Sequence, residues 1–257
     1  MTRPRILLTN DDGIHAPGIK YLYDALSPFY DLTISAPLVQ KSGASISTSL
    51  TKPLQIHEIS WHGGVRAHRI NGTPSDCVKL ALSQIMDKVP DLIVSGINQG
   101  SNAGRNVLYS GTIGAVIEGV FRNIPGVAFS CYDLKDPDFE KAKNYIHPIV
   151  EYLLKNPLNE GSFLNVNFPP KELEIKGLKM AFQGRGYSTD NPDKRRHPEG
   201  HYYYWIGGRW NEHKEEDNSD VKLLRDGYIT AVPINISQLT CEKQFQKHQD
   251  SLEKIFS

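Results

Sequence analysis

The chain of 257 residues is long enough for one large α/β domain, or for a domain with an extension, and needs no stabilising cross-links. Lys plus Arg and Asp plus Glu both number 29, and this zero net charge argues against a protein that coats nucleic acid or a membrane surface. The three cysteines are far apart and have no metal-binding spacing, so we expect reduced thiols in a cytoplasmic protein. No apolar run approaches the roughly 20 residues of a membrane span, and no signal peptide precedes the first predicted strand.

Strand-like and helix-like segments alternate through the first two thirds of the chain. Strands are expected at residues 5–9, 32–36, 91–96, 126–130 and 163–167, and helices at 17–27, 74–88, 112–122 and 138–155. Thr73 is a good N-cap, Pro74 a good first helical residue, and Asp76 stands three residues after the cap. Residues 38–51 are typical of an ordered loop, and residues 53–70 of a β excursion that turns at two glycines. The alternation predicts an α/β fold with a doubly wound, mostly parallel sheet.

The composition changes after about residue 182. Residues 184–222 are rich in charged residues, glycine and aromatics, and a strand at 202–206 between turns predicts a projecting β-hairpin. The basic run at 194–197 is most simply a solvated turn. A last strand is expected at 228–234 and a last helix at 241–255. We therefore predict a catalytic core over residues 1–182 and a C-terminal extension over 183–257.

Two adjacent carboxylates directly follow the first predicted strand. The apolar run Ile6–Leu8 leads through Thr9 and Asn10 into Asp11, Asp12 and Gly13. Open α/β sheets bind their ligands at the carboxyl ends of their strands. Two carboxylates held this close repel each other unless a cation lies between them, which indicates a Mg²⁺ or Mn²⁺ site. A solvated turn is the alternative, since Asn-Asp-Asp-Gly is also good turn chemistry.

Two more polar loops are expected at the same edge of the sheet. Ser42 follows the second strand, and Asn98 follows the strand at 91–96. Hard divalent cations prefer oxygen ligands, and Asp11, Asp12, Ser42 and Asn98 supply such a set. Taken singly, Ser42 and Asn98 would be ordinary loop residues. Their convergence with two carboxylates is what indicates a metal site.

The helix predicted at 112–122 starts in a way that suits anion binding. Ser110, Gly111 and Thr112 open it, and the N-terminus of a helix presents free backbone N–H groups to an anion. A simple helix cap is the alternative. Beside a metal site a phosphate is the better interpretation. The glycines form neither a dinucleotide fingerprint nor a P-loop.

These motifs, taken together and in order along essentially the whole chain, resemble the SurE survival proteins, a family of metal-dependent 5'-nucleotidases. The segments that carry the resemblance are residues 10–18, 36–37, 42–45, 72–78, 94–102, 109–112, 165–169, 204–207 and 226–228. The resemblance implies a Rossmann-like core whose C-terminal hairpin and tail are exchanged between the subunits of a homodimer, often paired into a homotetramer. It implies one divalent cation, Mg²⁺ or Mn²⁺, per subunit at Asp11, Asp12, Ser42 and Asn98. It also implies hydrolysis of nucleoside 5'-monophosphates, with 3'-nucleotides and short polyphosphate as side substrates in some members.

The roles of the remaining polar residues are hypotheses. Asn10, Asn102, Ser110, Gly111 and Thr112 are expected to hold the substrate, the last three at its phosphate oxygens. Asp11 and Asp12 are the candidate catalytic residues, either as general base or as the carboxylate of a covalent phospho-aspartate. The aromatic hairpin around 202–210 would pack between subunits, or alternatively stack on a nucleobase.

Some positions depart from what is common in the family. Lys41 stands where many members have Arg, Asn106 where Asp is frequent, and Asn235 where many carry His, so we assign Asn235 no catalytic role. The rival hypotheses are a Mg²⁺-binding receiver-like domain and a non-catalytic nucleotide-binding module. A receiver needs an aspartate at the end of a later strand, and the strand at 91–95 ends instead in Ser-Gly-Ile-Asn.

Overall fold

A central sheet of nine strands forms the body of the protein in this computed structural model, which describes residues 3–255. The strands are β1 (Arg5–Thr9), β2 (Asp31–Pro37), β3 (Ile56–Trp61), β4 (Val65–Ile70), β5 (Leu92–Asn98), β6 (Gly126–Cys131), β7 (Ser162–Phe168), β8 (Leu178–Met180), β9 (Tyr187–Asp190), β10 (Asp193–Arg196), β11 (Tyr202–Trp205), β12 (Gly208–Asn211) and β13 (Ile229–Asn235). The helices are α1 (Pro17–Leu26), α2 (Pro74–Leu80), α3 (Gly111–Val120), α4 (Phe139–Lys155), α5 (Asp220–Arg225) and α6 (Glu242–Glu253). Strands β9 to β12 lie outside the central sheet.

The order of strands across the central sheet is β3-β4-β2-β1-β5-β6-β7-β13-β8. Neighbouring strands are parallel except in the pairs β3/β4 and β7/β13, which are antiparallel. Strand β1 lies near the middle, between β2 and β5, and Thr9 at its end pairs with Ser95 of β5. The sheet is therefore mostly parallel, as predicted, and the loops after β1, β2 and β5 leave it at one edge.

Helices cover both faces of the sheet, which confirms the doubly wound, Rossmann-like architecture. Helices α1 and α4 pack against each other on one face, and α2 and α3 on the other. The packing of β1 explains the apolar run Ile6–Leu8 at its centre. Ile6 and Leu8 belong to the core cluster that includes α1 and α4, whereas Leu7 packs with residues of α2 and α3. A strand buried on both faces needs a continuous apolar run rather than alternation.

Helix α2 begins where its sequence predicts and ends earlier. The Thr73 side chain accepts a hydrogen bond from the Asp76 amide, and the Asp76 carboxylate accepts one from the Thr73 amide at 2.9 Å. The regular helix ends at Leu80 and continues as a π-helical turn over residues 81–85. The predicted end at residue 88 was therefore too late, because the Met86 amide donates to the carbonyl of Ala81, five residues back.

The segment after residue 182 is partly peripheral and partly built into the core. The predicted hairpin is present, with β9 antiparallel to β12 and β10 antiparallel to β11. Strand β13 returns to the central sheet and lies between β7 and β8. The sequence did not predict β8 or α5. Helix α6 has no buried residue. Within residues 3–255, no helix is long and apolar enough to cross a membrane.

Candidate active site

The loops after β1, β2 and β5 and the start of α3 meet at the carboxyl edge of the sheet. The Lys41 amide donates to the backbone oxygen of Asp11 at 2.7 Å, which ties the second loop to the end of β1. The Ser45 amide donates to the carbonyl of Tyr109 at 3.0 Å, which ties the same loop to the start of α3. The predicted convergence of separate chain segments at this edge is therefore present.

Asp11 is buried, with 3% of its surface exposed. Its Oδ1 accepts a hydrogen bond from the Thr112 hydroxyl at 2.6 Å. Burial raises the pKa of Asp11 to about 6, because the charged form loses its hydration, and the charge of Asp12 raises it further. The hydrogen bond from Thr112 acts in the opposite direction. The carboxylate is thus fixed in position in an environment that disfavours an isolated negative charge.

Gly111, the first residue of α3, leaves space for the Asp11 side chain. A Cβ atom at Gly111 would lie 2.8 Å from Asp11 Cβ and 3.0 Å from Asp11 Oδ2. It would also lie 3.2 Å from the carbonyl oxygen of Lys41. The first distance is shorter than real Cβ contacts and the other two are tight, so any side chain at this position would force Asp11 or the start of the helix to shift.

Asp12 is less buried than Asp11 and is held from the third loop. Its Oδ2 accepts a hydrogen bond from the Gln99 amide at 3.0 Å. Burial raises the pKa of Asp12, while the Gln99 amide and the Gln40 side chain favour its ionised form. Gln40 Nε2 also donates to the hydroxyl of Ser42 at 2.8 Å. The Gln40 side chain thus binds Ser42 and lies near enough to Asp12 to favour its ionised form.

Asn98 ends β5 and is nearly buried, with 8% of its surface exposed. Its Nδ2 donates to the carbonyl of Gly100 at 2.7 Å. This bond orients the amide group and leaves Oδ1 as the atom that can act as a ligand. Asn98 therefore offers an oxygen ligand beside Gln99, the residue that holds Asp12.

Asn10 and Asn102 lie under the loops rather than on their surface. Asn10 is fully buried, and its Nδ2 donates to the carbonyl of Gly13 at 2.9 Å. Its Oδ1 is buried without a partner in the structure. The Asn102 side chain donates to the Ser130 hydroxyl at 2.8 Å, and its backbone amide donates to Asn167 Oδ1 at 2.8 Å. Both side chains thus shape the loops that carry Asp11, Asp12 and Asn98.

The hydroxyls at the start of α3 are also engaged within the protein. The Ser110 hydroxyl accepts from the Ile113 amide at 3.2 Å and caps the helix. The Thr112 hydroxyl donates to Asp11, as described above. The group that faces the carboxylates is therefore the first turn of α3, where backbone N–H groups and the helix dipole favour an anion.

Several positioning residues carry no local signal in the sequence. Gln40 and Gln99 hold Asp12 and Ser42, and Asn167 supports the backbone of the third loop. Asp220 accepts hydrogen bonds from the amides of Gly104 and Gly184 at 3.1 and 2.8 Å. Apart from the contact between Gln40 and Ser42, these contacts join segments 36 to 116 residues apart, so neither spacing nor periodicity could reveal them.

Asn235 lies at the opposite edge of the sheet from the carboxylates. It ends β13, which runs antiparallel to β7, and it pairs with Ser162 at the start of β7. Its Nδ2 donates to the Ser162 hydroxyl at 2.8 Å and to the carbonyl of Glu160 at 3.2 Å. These contacts tie the end of β13 to the start of β7.

Two cavities differ in their relation to the site. A cavity of about 310 Å³ adjoins the third loop through Gly100, Ser101 and Asn106, and Trp210 and Leu134 are among its apolar walls. A larger cavity of about 840 Å³ lies at the amino ends of the strands, against Arg5, Asp31 and Asp91. Only the smaller one lies beside the residues predicted to carry chemistry.

The chain is similar to known proteins over nearly its whole length. The model of the family described as "Survival protein SurE" matches residues 6–190. A protein of Protochlamydia amoebophila named "5'-nucleotidase SurE" is 46% identical over 255 residues, which cover 98% of each chain. One of the same name from Christiangramia forsetii is 39% identical over 90% of this chain and 91% of its own.

A solved structure shares the fold. The crystal structure of the SurE protein from Aquifex aeolicus superposes with a TM-score of 0.81 at 35% identity. The match covers 97% of this chain and all of the other. The family model, the full-length relatives and the shared architecture show that this chain belongs to the SurE family.

Proposed function

We propose that this protein is a 5'-nucleotidase that hydrolyses nucleoside 5'-monophosphates to nucleoside and phosphate with the help of one divalent cation per subunit. The observation that supports this most is the meeting of Asp11, Asp12 and Asn98 with the start of α3 at one edge of the sheet. The name "5'-nucleotidase SurE" of relatives that match over nearly the full length supports the same substrate class.

The donor atoms fit a hard cation such as Mg²⁺ or Mn²⁺. Asp11 and Asp12 supply carboxylate oxygens, Asn98 an amide oxygen and Ser42 a hydroxyl, and all of these are oxygen ligands. The raised pKa values of Asp11 and Asp12 support this further, because two carboxylates in a buried place are stabilised in their charged form by a cation. Few protein ligands suit Mg²⁺, which keeps several of its waters.

The start of α3 suits the phosphate group of the substrate. Its first turn lies against Asp11, since no Cβ fits between Gly111 and that carboxylate. A phosphate here would face backbone amides and the positive end of the helix dipole. Ser110 and Thr112 act indirectly, the first by capping the helix and the second by holding Asp11.

In the proposed reaction the cation and the protein side chains have separate roles. When bound, the cation supplies Lewis acidity to the phosphoryl group and promotes ionisation of the attacking water. Thr112 and Gln99 hold Asp11 and Asp12 in fixed orientations, and one of the two carboxylates takes the proton from water. The amides of α3 stabilise the charge that develops on the phosphate oxygens. As the water oxygen bonds to phosphorus, the bond from phosphorus to the bridging oxygen breaks, and the proton taken from water passes to that oxygen, so the nucleoside leaves with a free hydroxyl.

The cavity of about 310 Å³ beside the third loop is our candidate for the nucleoside part of the substrate. It adjoins Gly100 and Ser101, which follow Asn98 closely in the chain, and it has aromatic and aliphatic walls at Tyr132, Trp210 and Leu134. An apolar hollow with a few polar groups at its rim is typical of small-molecule sites.

We also propose that the C-terminal segment, residues 183–257, mediates assembly into a homodimer or homotetramer. Tyr202, Tyr204, Trp205 and Ile206 of the hairpin are all exposed, between 56% and 81%. Large apolar side chains grouped on a surface are typical of protein interfaces.

The three cysteines are all free thiols, which fits a location in the reducing cytoplasm.

The deciding experiment measures phosphate release from nucleoside 5'-monophosphates, 3'-monophosphates and short polyphosphate, with Mg²⁺, with Mn²⁺ and with a chelator. We expect cation-dependent release, strongest from 5'-monophosphates, that collapses in Asp12→Asn. Asp24→Asn is the matched control, because Asp24 pairs with Lys20 on the surface of α1 and should leave the rate unchanged.

The same experiment separates hydrolysis from binding alone. Nucleotide and cation binding without phosphate release would contradict the proposal and favour a non-catalytic nucleotide-binding module. Release that persists in Asp12→Asn would remove Asp12 from the mechanism.

A further inference from the structure

The tip of the β10–β11 hairpin holds a second cluster of metal-ligating side chains. His197, Glu199 and His201 each offer one ligand atom, and these three atoms all lie within 4.8 Å of one another. His197 is half-buried, and the other two are exposed, so an ion can reach them from solvent. None of the three belongs to the carboxylate site at the edge of the central sheet.

The backbone of the turn brings the two histidines together. The β10–β11 pairing ends with Arg196 opposite Tyr202, so His197 and His201 are the next facing pair. The His197 amide donates to the His201 carbonyl at 2.8 Å, and the Gly200 amide donates to the His197 carbonyl at 2.8 Å. Gly200 has φ of 97°, a conformation that favours glycine, and Pro198 restricts the turn further. The scaffold under the cluster is thus well defined.

The side chains already have nearly the spacing of a metal site. The two imidazole rings are stacked, with centroids 4.3 Å apart and planes inclined by 14°. His197 Nδ1 lies 3.8 Å from a carboxylate oxygen of Glu199. In a tetrahedral zinc site, bonds of about 2.0–2.2 Å place the ligand atoms roughly 3.3 Å apart. The lone pairs of two stacked rings point in nearly parallel directions, so binding of one ion requires one imidazole to rotate out of the stack and both nitrogens to move closer together.

The hydrogen bonding of His197 is also compatible with a ligand role. Its Nδ1 lies 3.2 Å from the Glu199 amide and accepts a hydrogen bond from it. A nitrogen that accepts a hydrogen bond carries its lone pair, as a metal ligand must. An ion at this position would replace one long hydrogen bond and would lie between that lone pair and the negative Glu199 carboxylate.

We propose that the hairpin tip is a separate site for a late first-row divalent cation, Zn²⁺ above all, bound by His197, Glu199 and His201. Imidazole nitrogen favours Zn²⁺, Ni²⁺ and Cu²⁺, whereas the all-oxygen set at Asp11, Asp12, Ser42 and Asn98 favours Mg²⁺ and Mn²⁺. The hairpin tip would therefore prefer Zn²⁺, and the carboxylate site would prefer Mg²⁺ or Mn²⁺, because their ligand atoms differ. The bound ion clamps the two arms of the hairpin, and its fourth position stays open to water or to a group of another molecule.

The test is calorimetric titration of Zn²⁺ into the untagged full chain in excess Mg²⁺, which competes for oxygen ligands and poorly for imidazole. We expect one Zn²⁺ per chain in the wild type, and loss of this binding in His197→Gln and in His201→Gln. His213→Gln is the matched control, because His213 is an exposed histidine of the same extension outside the cluster. It should bind Zn²⁺ like the wild type.

Hydrogen exchange gives an independent readout. Zn²⁺ should slow amide exchange across residues 197–201 in the wild type and leave it unchanged in His201→Gln. Asp12→Asn should keep the site, so the outcome does not depend on the nucleotidase proposal. No uptake of Zn²⁺ in excess Mg²⁺, or equal uptake by His201→Gln and His213→Gln, would overturn the inference.

Discussion

Asp11 has little freedom to move, because groups on three sides constrain it. The Thr112 hydroxyl binds its Oδ1, the Lys41 amide binds its backbone oxygen, and Gly111 lies against its Cβ. The sequence placed Thr112 at a substrate phosphate, whereas the structure turns its hydroxyl to Asp11. The residue pattern predicted that Thr112 lies near the two carboxylates, but it could not give the direction in which a buried hydroxyl points.

The hydroxyl of Thr112 can be tested by Thr112→Val, which keeps the shape of the side chain and removes the donor. Asp11 then loses its 2.6 Å hydrogen bond inside the protein. Since such supporting contacts orient ligands, we expect the affinity for Mn²⁺ to fall roughly 10–100-fold. Calorimetric titration with Mn²⁺ measures this. Thr112→Ser should restore binding, and a serine variant as weak as the valine variant would show that the hydroxyl is not responsible.

The space at Gly111 gives a second prediction. In Gly111→Ala the new Cβ would lie 2.8 Å from Asp11 Cβ, so the carboxylate or the helix start must shift. Misplacement of about 1 Å in a catalytic group costs on the order of 100-fold in rate, and we expect a loss of that size in kcat. Gly208→Ala is the control, since its Cβ would meet nothing closer than 3.6 Å. Unchanged phosphate release by Gly111→Ala would contradict the prediction.

Helix α5 is short, and its first residue, Asp220, makes hydrogen bonds to several other segments. The Asp220 carboxylate accepts hydrogen bonds from the amides of Gly104, Gly184 and Val221, and from the side chain of Gln183. It thereby joins the loop after β5 to the chain that enters the hairpin. Burial nevertheless raises the pKa of Asp220 to about 6, from an ordinary value of 3.8.

This raised pKa predicts a pH-dependent stability. Between about pH 4 and 6 the folded protein retains a proton on Asp220 that the unfolded chain loses. The contribution of Asp220 to the stability of the folded protein is complete below about pH 4 and is lost as the pH rises through 6. We expect the unfolding free energy of the wild type, relative to Asp220→Asn, to fall by roughly 2–3 kcal/mol from pH 4 to pH 7. Urea unfolding of both proteins at several pH values measures it, and a constant or increasing difference would contradict it.

Elements with a strong local signal were predictable, and elements defined by distant partners were not. The cap at Thr73 and the turn residues at the start of α2 predicted that helix. Strand β8 has three exposed residues and exists because it pairs with β13, about 50 residues later in the chain. Helix α5 has only six residues, too few for a periodic apolar pattern. The carboxylates could be predicted because they directly follow an apolar run in the sequence. Gln99 and Asp220 could not, because their roles, like the existence of β8, depend on partners far away in the chain.

At the scale of the whole molecule, the C-terminal segment combines a buried strand with exposed ends. Strand β13 lies inside the central sheet between β7 and β8, whereas α6 buries none of its residues. Phe245, Leu252 and Ile255 of this tail are 55% to 69% exposed. Phe245 and Leu252 are seven residues apart in α6 and therefore lie on one face of this otherwise polar helix, which suits packing against a second copy.

Removing the tail after Ser237 tests this interpretation. Since α6 contributes no buried residue to its own chain, we expect the core to stay folded, with far-UV circular dichroism close to that of the wild type. The molar mass by light scattering should fall to that of a monomer, or become concentration-dependent, because the interface has lost the exposed apolar side chains of the tail. A truncated chain with the same oligomeric mass as the full chain would contradict the proposal that the tail mediates assembly.

The asparagines of β7 also determine how that strand can align with its neighbours. Asn165 and Asn167 point to the same face and bind each other and the Asn102 backbone, while Leu164, Val166 and Phe168 fill the apolar core on the other face. A slip of one residue would exchange the two faces. It would leave two amides unsatisfied in the core, at roughly 1–3 kcal/mol each. The side chains that support the third loop therefore also disfavour misaligned pairing of the sheet while the chain folds.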